Sequence, residues 1–125
     1  MNLLCIFVGG GLGAAARYGL TRIPFLSGHA FPWMTFVANL SGALIIGFIA
    51  GAVLGSHRLT VHEQALLKTG FCGGLTTFST FSLEAFELIE SGRWVVGVSY
   101  ILASVICCLI GVFAGRVIAM HVFSD

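Results

Sequence analysis

Residues 70–82 read GFCGGLTTFSTFS. The stretch lies inside a long hydrophobic segment, yet its chemistry resists an unbroken helix. Gly70, Gly73 and Gly74 each lower helix stability by about 1 kcal/mol relative to alanine. The hydroxyls of Thr76, Thr77, Ser79, Thr80 and Ser82 compete for nearby backbone groups. Phe71, Phe78 and Phe81 crowd the same few turns. A helix that breaks in a bilayer frees N–H and C=O groups, and these survive only where protein or a cavity surrounds them. The stretch therefore predicts a helix interrupted over 73–80, and it makes that interruption the candidate functional site, suited to a small ion.

The rest of the chain has the composition to hold such a break in lipid. Of 125 residues, 58% are hydrophobic and 9% charged, with a mean hydropathy of +1.03. A soluble domain carries about 25% charged residues, so this chain is an integral membrane protein. Its net charge of +1 implies no nucleic-acid partner. The N-terminus MNLLCIFVGGG lacks a basic leader and a cleavage signal, so it reads as a retained first helix. Cys5, Cys72, Cys107 and Cys108 have no metal-site spacing and lie in apolar runs, as free buried thiols do.

Upstream of the break, the first segment spans about 2–21 and ends near Arg17, Tyr18 and Arg22. At roughly 20 residues per crossing it is one transmembrane helix. Within it, Gly11 to Ala16 fits the dinucleotide pattern G-x-G-x-x-A, but that fold needs an acidic residue about 20 positions later. The first acidic residue is Glu63, so these glycines serve close helix contact instead. A link from Pro24 to Pro32, with Ser27, Gly28 and His29, leads to Trp33 at the membrane interface. The second segment, 33–54, has one strongly polar residue, Asn39, and a small-residue face: Ala38 and Gly42, then Gly47, Gly51 and Gly55. A loop with His57, Arg58 and His62 follows, and Thr60 with Glu63 forms a capping box for the third segment, 61–90. Near its end, Glu84, Glu87 and Glu90 recur every third residue and read as a hydrated interfacial face, with a vestibule role for Glu84, the deepest, as the secondary reading.

Downstream, the fourth segment spans about 94–120 after the turn Ser91-Gly92-Arg93. Tyr100, Ser104 and Cys108 share one side of it, and Gly111 with Gly115 forms a second small-residue pair. Four crossings put both termini on one side of the membrane. Arg58, Lys68 and Arg116 then fall on that side, against Arg17, Arg22 and Arg93 on the other. The positive-inside rule needs a bias to select an orientation, and this balance supplies none.

Three motifs are carried together: GGGLGAAARY at Gly9–Tyr18, TFVANLSGALIIG at Thr35–Gly47 and GFCGGLTTFSTF at Gly70–Phe81. In combination they resemble the Fluc (CrcB-like) family of fluoride channels, over nearly the whole chain. The resemblance implies an all-α integral membrane protein with four transmembrane helices per subunit, the third one broken. It implies an antiparallel, dual-topology homodimer in the inner (plasma) membrane, with fluoride paths along the subunit interface. It assigns the fluoride path to Asn39, Phe78, Ser79, Thr80, Phe81, Tyr100, Ser104 and Arg17. It also implies a structural sodium ion at the dimer centre, held by the backbone carbonyls of Gly73 and Thr76. Cys108 stands where the family's hydroxyl track leads one to expect a hydroxyl.

The residue chemistry agrees with an anion path. Amide and hydroxyl donors can replace water around an anion, and the positive edge of a phenylalanine ring can face one. Two rival readings stand beside this one. A small dual-topology proton-coupled exporter would need a titratable carboxylate in a helix core, and Glu84 alone comes near one. A non-transporting assembly subunit would use only the small-residue faces. No nucleophile–base pair or metal cluster points to an enzyme.

Overall fold

The computed structural model describes residues 1–26, 28–54 and 59–123, and it is helical almost throughout. Ser27, Gly55, His57 and Arg58 lie outside the described residues. The long helices are α1 (Asn2–Leu20), α2 (Trp33–Leu54) and α6 (Trp94–Val122). These three are long and apolar enough to cross a membrane. Between them the third segment runs through α3 (Val61–Gln64), a π-helical stretch (Ala65–Cys72), α4 (Gly73–Leu75) and α5 (Phe78–Glu90). The chain is thus an all-α membrane protein.

Local chemistry sets the ends of these elements. Thr60 Oγ1 accepts from the Glu63 N–H, and Glu63 Oε2 accepts from the Thr60 N–H at 2.7 Å, closing the expected capping box. His62, expected in the loop, sits on α3, with Nδ1 2.5 Å from Asn2 Oδ1. At the end of α5, the Arg93 N–H donates to the Leu88 carbonyl and the Gly92 N–H to the Ile89 carbonyl. That pattern closes a helix around a left-handed residue, and Gly92, at φ 78°, fills the position.

Glycines decide how the helices meet. A β-carbon on Gly9 would lie 2.1 Å from the Leu66 carbonyl oxygen, and one on Gly13 would lie 2.2 Å from that of Phe71. From the other side, Gly74 would clash with the Gly10 carbonyl at 2.3 Å. Gly9, Gly10 and Gly13 therefore dock α1, backbone to backbone, on the π-helical stretch and α4; of the two glycines in the run that mimics a dinucleotide motif, Gly13 makes the expected close contact and Gly11 does not. Helices α2 and α6 meet the same way. Gly47 faces the Val112 carbonyl, and Gly115 faces that of Leu44, each with 2.2 Å of room for a β-carbon. Small residues permit this approach in lipid, where apolar surface alone supplies no drive for helices to associate.

The buried core is small and lies at one end of the bundle, where Phe81, Ala85 and Leu88 of α5 meet Tyr100 of α6. Phe31 seals it, with its ring edge-on to Tyr100 at 5.2 Å between centroids.

Substitution at two neighbouring glycines of α1 should act in opposite directions. Gly9→Ala forces a side chain into the Leu66 carbonyl and should cost about 1–3 kcal/mol. Gly11 has open space around its missing β-carbon, so Gly11→Ala should gain up to about 1 kcal/mol from helix propensity. Thermal denaturation of the detergent-purified variants measures both.

Candidate functional site

The chain leaves helical geometry at two residues within the predicted interval 73–80. Thr76 has φ −80°, ψ 157°, and Thr77 has φ −151°, ψ 113°. Glycine content does not mark the break itself: Gly73 is helical, at φ −63°. The paired threonines supply the alternative hydrogen bonds. Thr76 Oγ1 donates to the Cys72 carbonyl at 2.9 Å, and the Thr76 N–H donates to the same oxygen at 3.0 Å. Thr77 caps α5: its Oγ1 accepts from the Thr80 N–H at 3.2 Å and donates to Thr80 Oγ1 at 3.0 Å.

Asn39 closes the rest of the gap from α2. Its Oδ1 accepts from the Thr77 N–H at 2.7 Å, and its Nδ2 donates to the Thr77 carbonyl at 3.2 Å. In an unbroken helix the Thr77 N–H would bond the Gly73 carbonyl. Its diversion to Asn39 takes that helical partner from Gly73.

A groove of about 630 Å³ opens beside the break, walled by α2, the third segment and α6. Asn39, Gly73, Thr76, Phe78, Phe81 and Ser104 all line it. Phe78 and Phe81 have centroids 5.6 Å apart; Phe81 is buried, whereas Phe78 is 79% exposed. Ser104 is 5% exposed, and its Oγ has no hydrogen-bond partner among the described residues. An unsatisfied buried hydroxyl costs about 1–3 kcal/mol, so it calls for an explanation. Cys108, one helical turn further along α6, lines the same groove. The stripe of Tyr100, Ser104 and Cys108 thus divides. Tyr100 is fully buried, with its ring against Phe81 at 5.1 Å and its hydroxyl turned to Glu84.

Glu84 corrects an expectation. It is not part of a solvated face with the exposed Glu87 and Glu90 but is half-buried. Its Oε2 accepts from the Tyr100 hydroxyl and its Oε1 from Thr35 Oγ1, both at 2.8 Å. The register Glu84, Glu87, Glu90 fits any helix face, and only the packing of α2 and α6 distinguishes the first from the others. A second cavity of about 290 Å³ lies on that side, lined by Arg17, Thr35, Thr77, Thr80 and Glu84 among others. Arg17 and Thr80 are therefore assembled there, away from the groove. Ser79 is exposed and lies 3.3 Å from Thr77 Oγ1; it is not among the lining residues of either cavity. The break thus has a cavity on each side. One is mostly apolar, with scattered neutral donors and a single lysine, and the other carries an arginine and a carboxylate.

The family model described as "CrcB-like protein, Camphor Resistance (CrcB)" matches residues 4–116, which include both walls of the break. The chain belongs to the CrcB-like family. Its relatives include a protein of Methylobacterium sp. (strain 4-46) named "Fluoride-specific ion channel FluC". The two are 42% identical over 97% of this chain and 98% of that protein. A protein of the same name from Geobacter sulfurreducens is 44% identical over 91% and 93% of the two chains. One from Coxiella burnetii (strain CbuK_Q154) is 42% identical over 94% and 97%. The CrcB-like match covers every residue described at the break and in both cavities.

Asn39 gives a test of how the break is held. Asn39→Ala leaves the Thr77 N–H and carbonyl without their partners and should destabilise the fold by about 1–3 kcal/mol. Asn39→Asp retains an acceptor for the N–H and should fall between the alanine variant and the parent. Thermal melts of the purified proteins rank the three.

Proposed function

We propose that this chain is a fluoride-selective channel that gives passive fluoride efflux and protection from fluoride toxicity. It works in the inner (plasma) membrane as an antiparallel homodimer of four-helix subunits, the third helix of each broken at Thr76–Thr77. The observation that carries this reading is Ser104. It is a buried hydroxyl without a partner among the described residues, in the wall of a groove shared with Asn39, Phe78 and Phe81. Names of the relatives supply the ion, since each is called fluoride-specific.

Fluoride is small and strongly hydrated, so stripping its water requires replacement donors. A channel must also release the ion, which favours weak, distributed donors over a tight cage. Ser104 Oγ offers one donor, and Asn39 Nδ2 retains a hydrogen beyond the one given to Thr77. The rings of Phe78 and Phe81 add positive edges. The N-terminus of α5 begins at Phe78 and adds the positive end of its dipole. In the second cavity Arg17, Thr80 and their neighbours form the approach from the other side, and Tyr100 links the two through Phe81 and Glu84. Ser79 adds an exposed hydroxyl beside the break.

Gly73 supports the dimer. It is helical, it lines the groove, and among the described residues nothing outside its own helix stands within 4 Å of its missing β-carbon. A second copy crossing at this face accounts for a glycine that its own subunit does not need. The balanced arginine and lysine count lets that copy insert the other way up. The same crossing brings together the carbonyls of Gly73 and Thr76 from both subunits. Gly73 has lost its helical partner to Asn39. A set of neutral oxygens without a carboxylate suits a hard monovalent cation, and sodium is the proposed structural ion.

One observation favours a second reading, a proton-coupled exporter: Glu84 is a half-buried carboxylate between helices. That reading requires flux to depend on a proton gradient and to vanish in Glu84→Gln.

Liposomes reconstituted with the purified protein should release fluoride and retain chloride; equal chloride flux would sink the channel reading. Phe78→Ile and Phe81→Ile should each lower fluoride flux by about tenfold, the effect of losing ~1.4 kcal/mol of contact, with the dimer intact by size-exclusion chromatography. Exchange of sodium for a large organic cation should weaken the dimer or its flux. Indifference to sodium after prolonged dialysis counts against the central cation.

A further inference from the structure

The groove contains one charged side chain whose purpose the fold does not explain. Lys68 stands on the π-helical stretch, is exposed, and is the one charged residue among those lining the groove. Lys68, Cys72 and Thr76 recur at four-residue spacing, and all three line the groove. They form a stripe that leads from the ammonium to the break, roughly 12 Å at helical rise. Across the groove from this stripe, Ser104 presents its buried, unpartnered hydroxyl. The cation therefore sits at the open side of a largely apolar trough whose inner wall holds an unused donor.

We infer that Lys68 is a collecting charge for small inorganic anions entering the groove, a role that rests on the channel reading above. A fixed positive charge in a low-dielectric cleft raises the local anion concentration and the rate of entry. Its distance from the break matters equally. An ammonium beside Ser104 would bind an anion too well for release, whereas one near the mouth delivers the ion to neutral donors and stays behind. The four-carbon stem adds a physical advantage. It covers apolar groove wall while keeping the charge toward water.

Salt dependence is the signature of this role, because a steering charge is screened and a packing residue is not. Fluoride flux through proteoliposomes is compared for the parent, Lys68→Gln and Lys68→Arg, at about 0.01 M and about 1 M ionic strength, where screening lengths are about 30 Å and 3 Å. An impermeant organic salt sets the ionic strength. At low ionic strength Lys68→Gln should lose about tenfold in flux, and Lys68→Arg should match the parent. At high ionic strength the three should converge. Equal flux of Lys68→Gln and parent at low salt overturns the inference and leaves the channel reading standing. A loss that persists at high salt also overturns it, because it assigns Lys68 to packing. Absence of fluoride flux in the parent overturns the channel reading and this inference with it.

Discussion

Two hydrogen bonds between one side-chain amide and one peptide unit make the rest of this structure possible. A bilayer tolerates no unpaired backbone group, so a helix broken within it must have its freed N–H and C=O groups answered by neighbours. Asn39 answers both groups of Thr77 at once. An amide suits that task because its oxygen accepts and its nitrogen donates in one plane. The bond also has a consequence one turn earlier, since it draws the Thr77 N–H away from the Gly73 carbonyl. Repair of the break on one side thus exposes a carbonyl on the other.

Glycine contacts put Asn39 where it is needed. Helix α1 lies against the π-helical stretch and α4 through Gly9, Gly13 and Gly74, and α2 lies against α6 through Gly47 and Gly115. These are two tight pairs, and the groove is the space left between them. Its walls are therefore set by backbone approach, which does not yield as side chains can. Gly73 lines the groove without such a contact: among the described residues, nothing outside its own helix stands within 4 Å of its missing β-carbon.

The two cavities differ in electrostatic character. One carries Arg17 and Glu84, and the other carries neutral donors and rings with a single lysine at its open side. An anion passing from the second cavity to the groove would exchange charged neighbours for weak ones. That order suits passage, because tight binding at the centre would stop it. Glu84 is held in place by Thr35 and Tyr100. It thereby ties α5 to α2 and α6 at the end of the bundle where the core lies.

Much of this was legible in the residues. Composition alone makes the chain a membrane protein, because too few charges exist to cover a soluble surface. The interval of the break follows from its breakers, although the paired threonines and not the glycines mark the break itself, and the small-residue faces follow from their spacing. The family is carried by long motifs around Asn39 and the GGLTTFSTF stretch. Those are properties of local chemistry, which neighbours in sequence suffice to express. Other features depend on packing between segments distant in sequence. Sequence spacing gave Glu84, Glu87 and Glu90 one common face, but α2 and α6 cover the first alone. Tyr100 and Ser104 share a stripe, but one hydroxyl finds a carboxylate and the other finds nothing. Helix propensity does not distinguish i→i+4 from i→i+5 bonding, so the π-helical stretch was invisible. The sequence by itself determined that the third segment would be interrupted, and within which interval. Only the tertiary structure decided which atoms close the gap and which are left open for an ion, because a hydrogen bond is assigned by distance and direction in space.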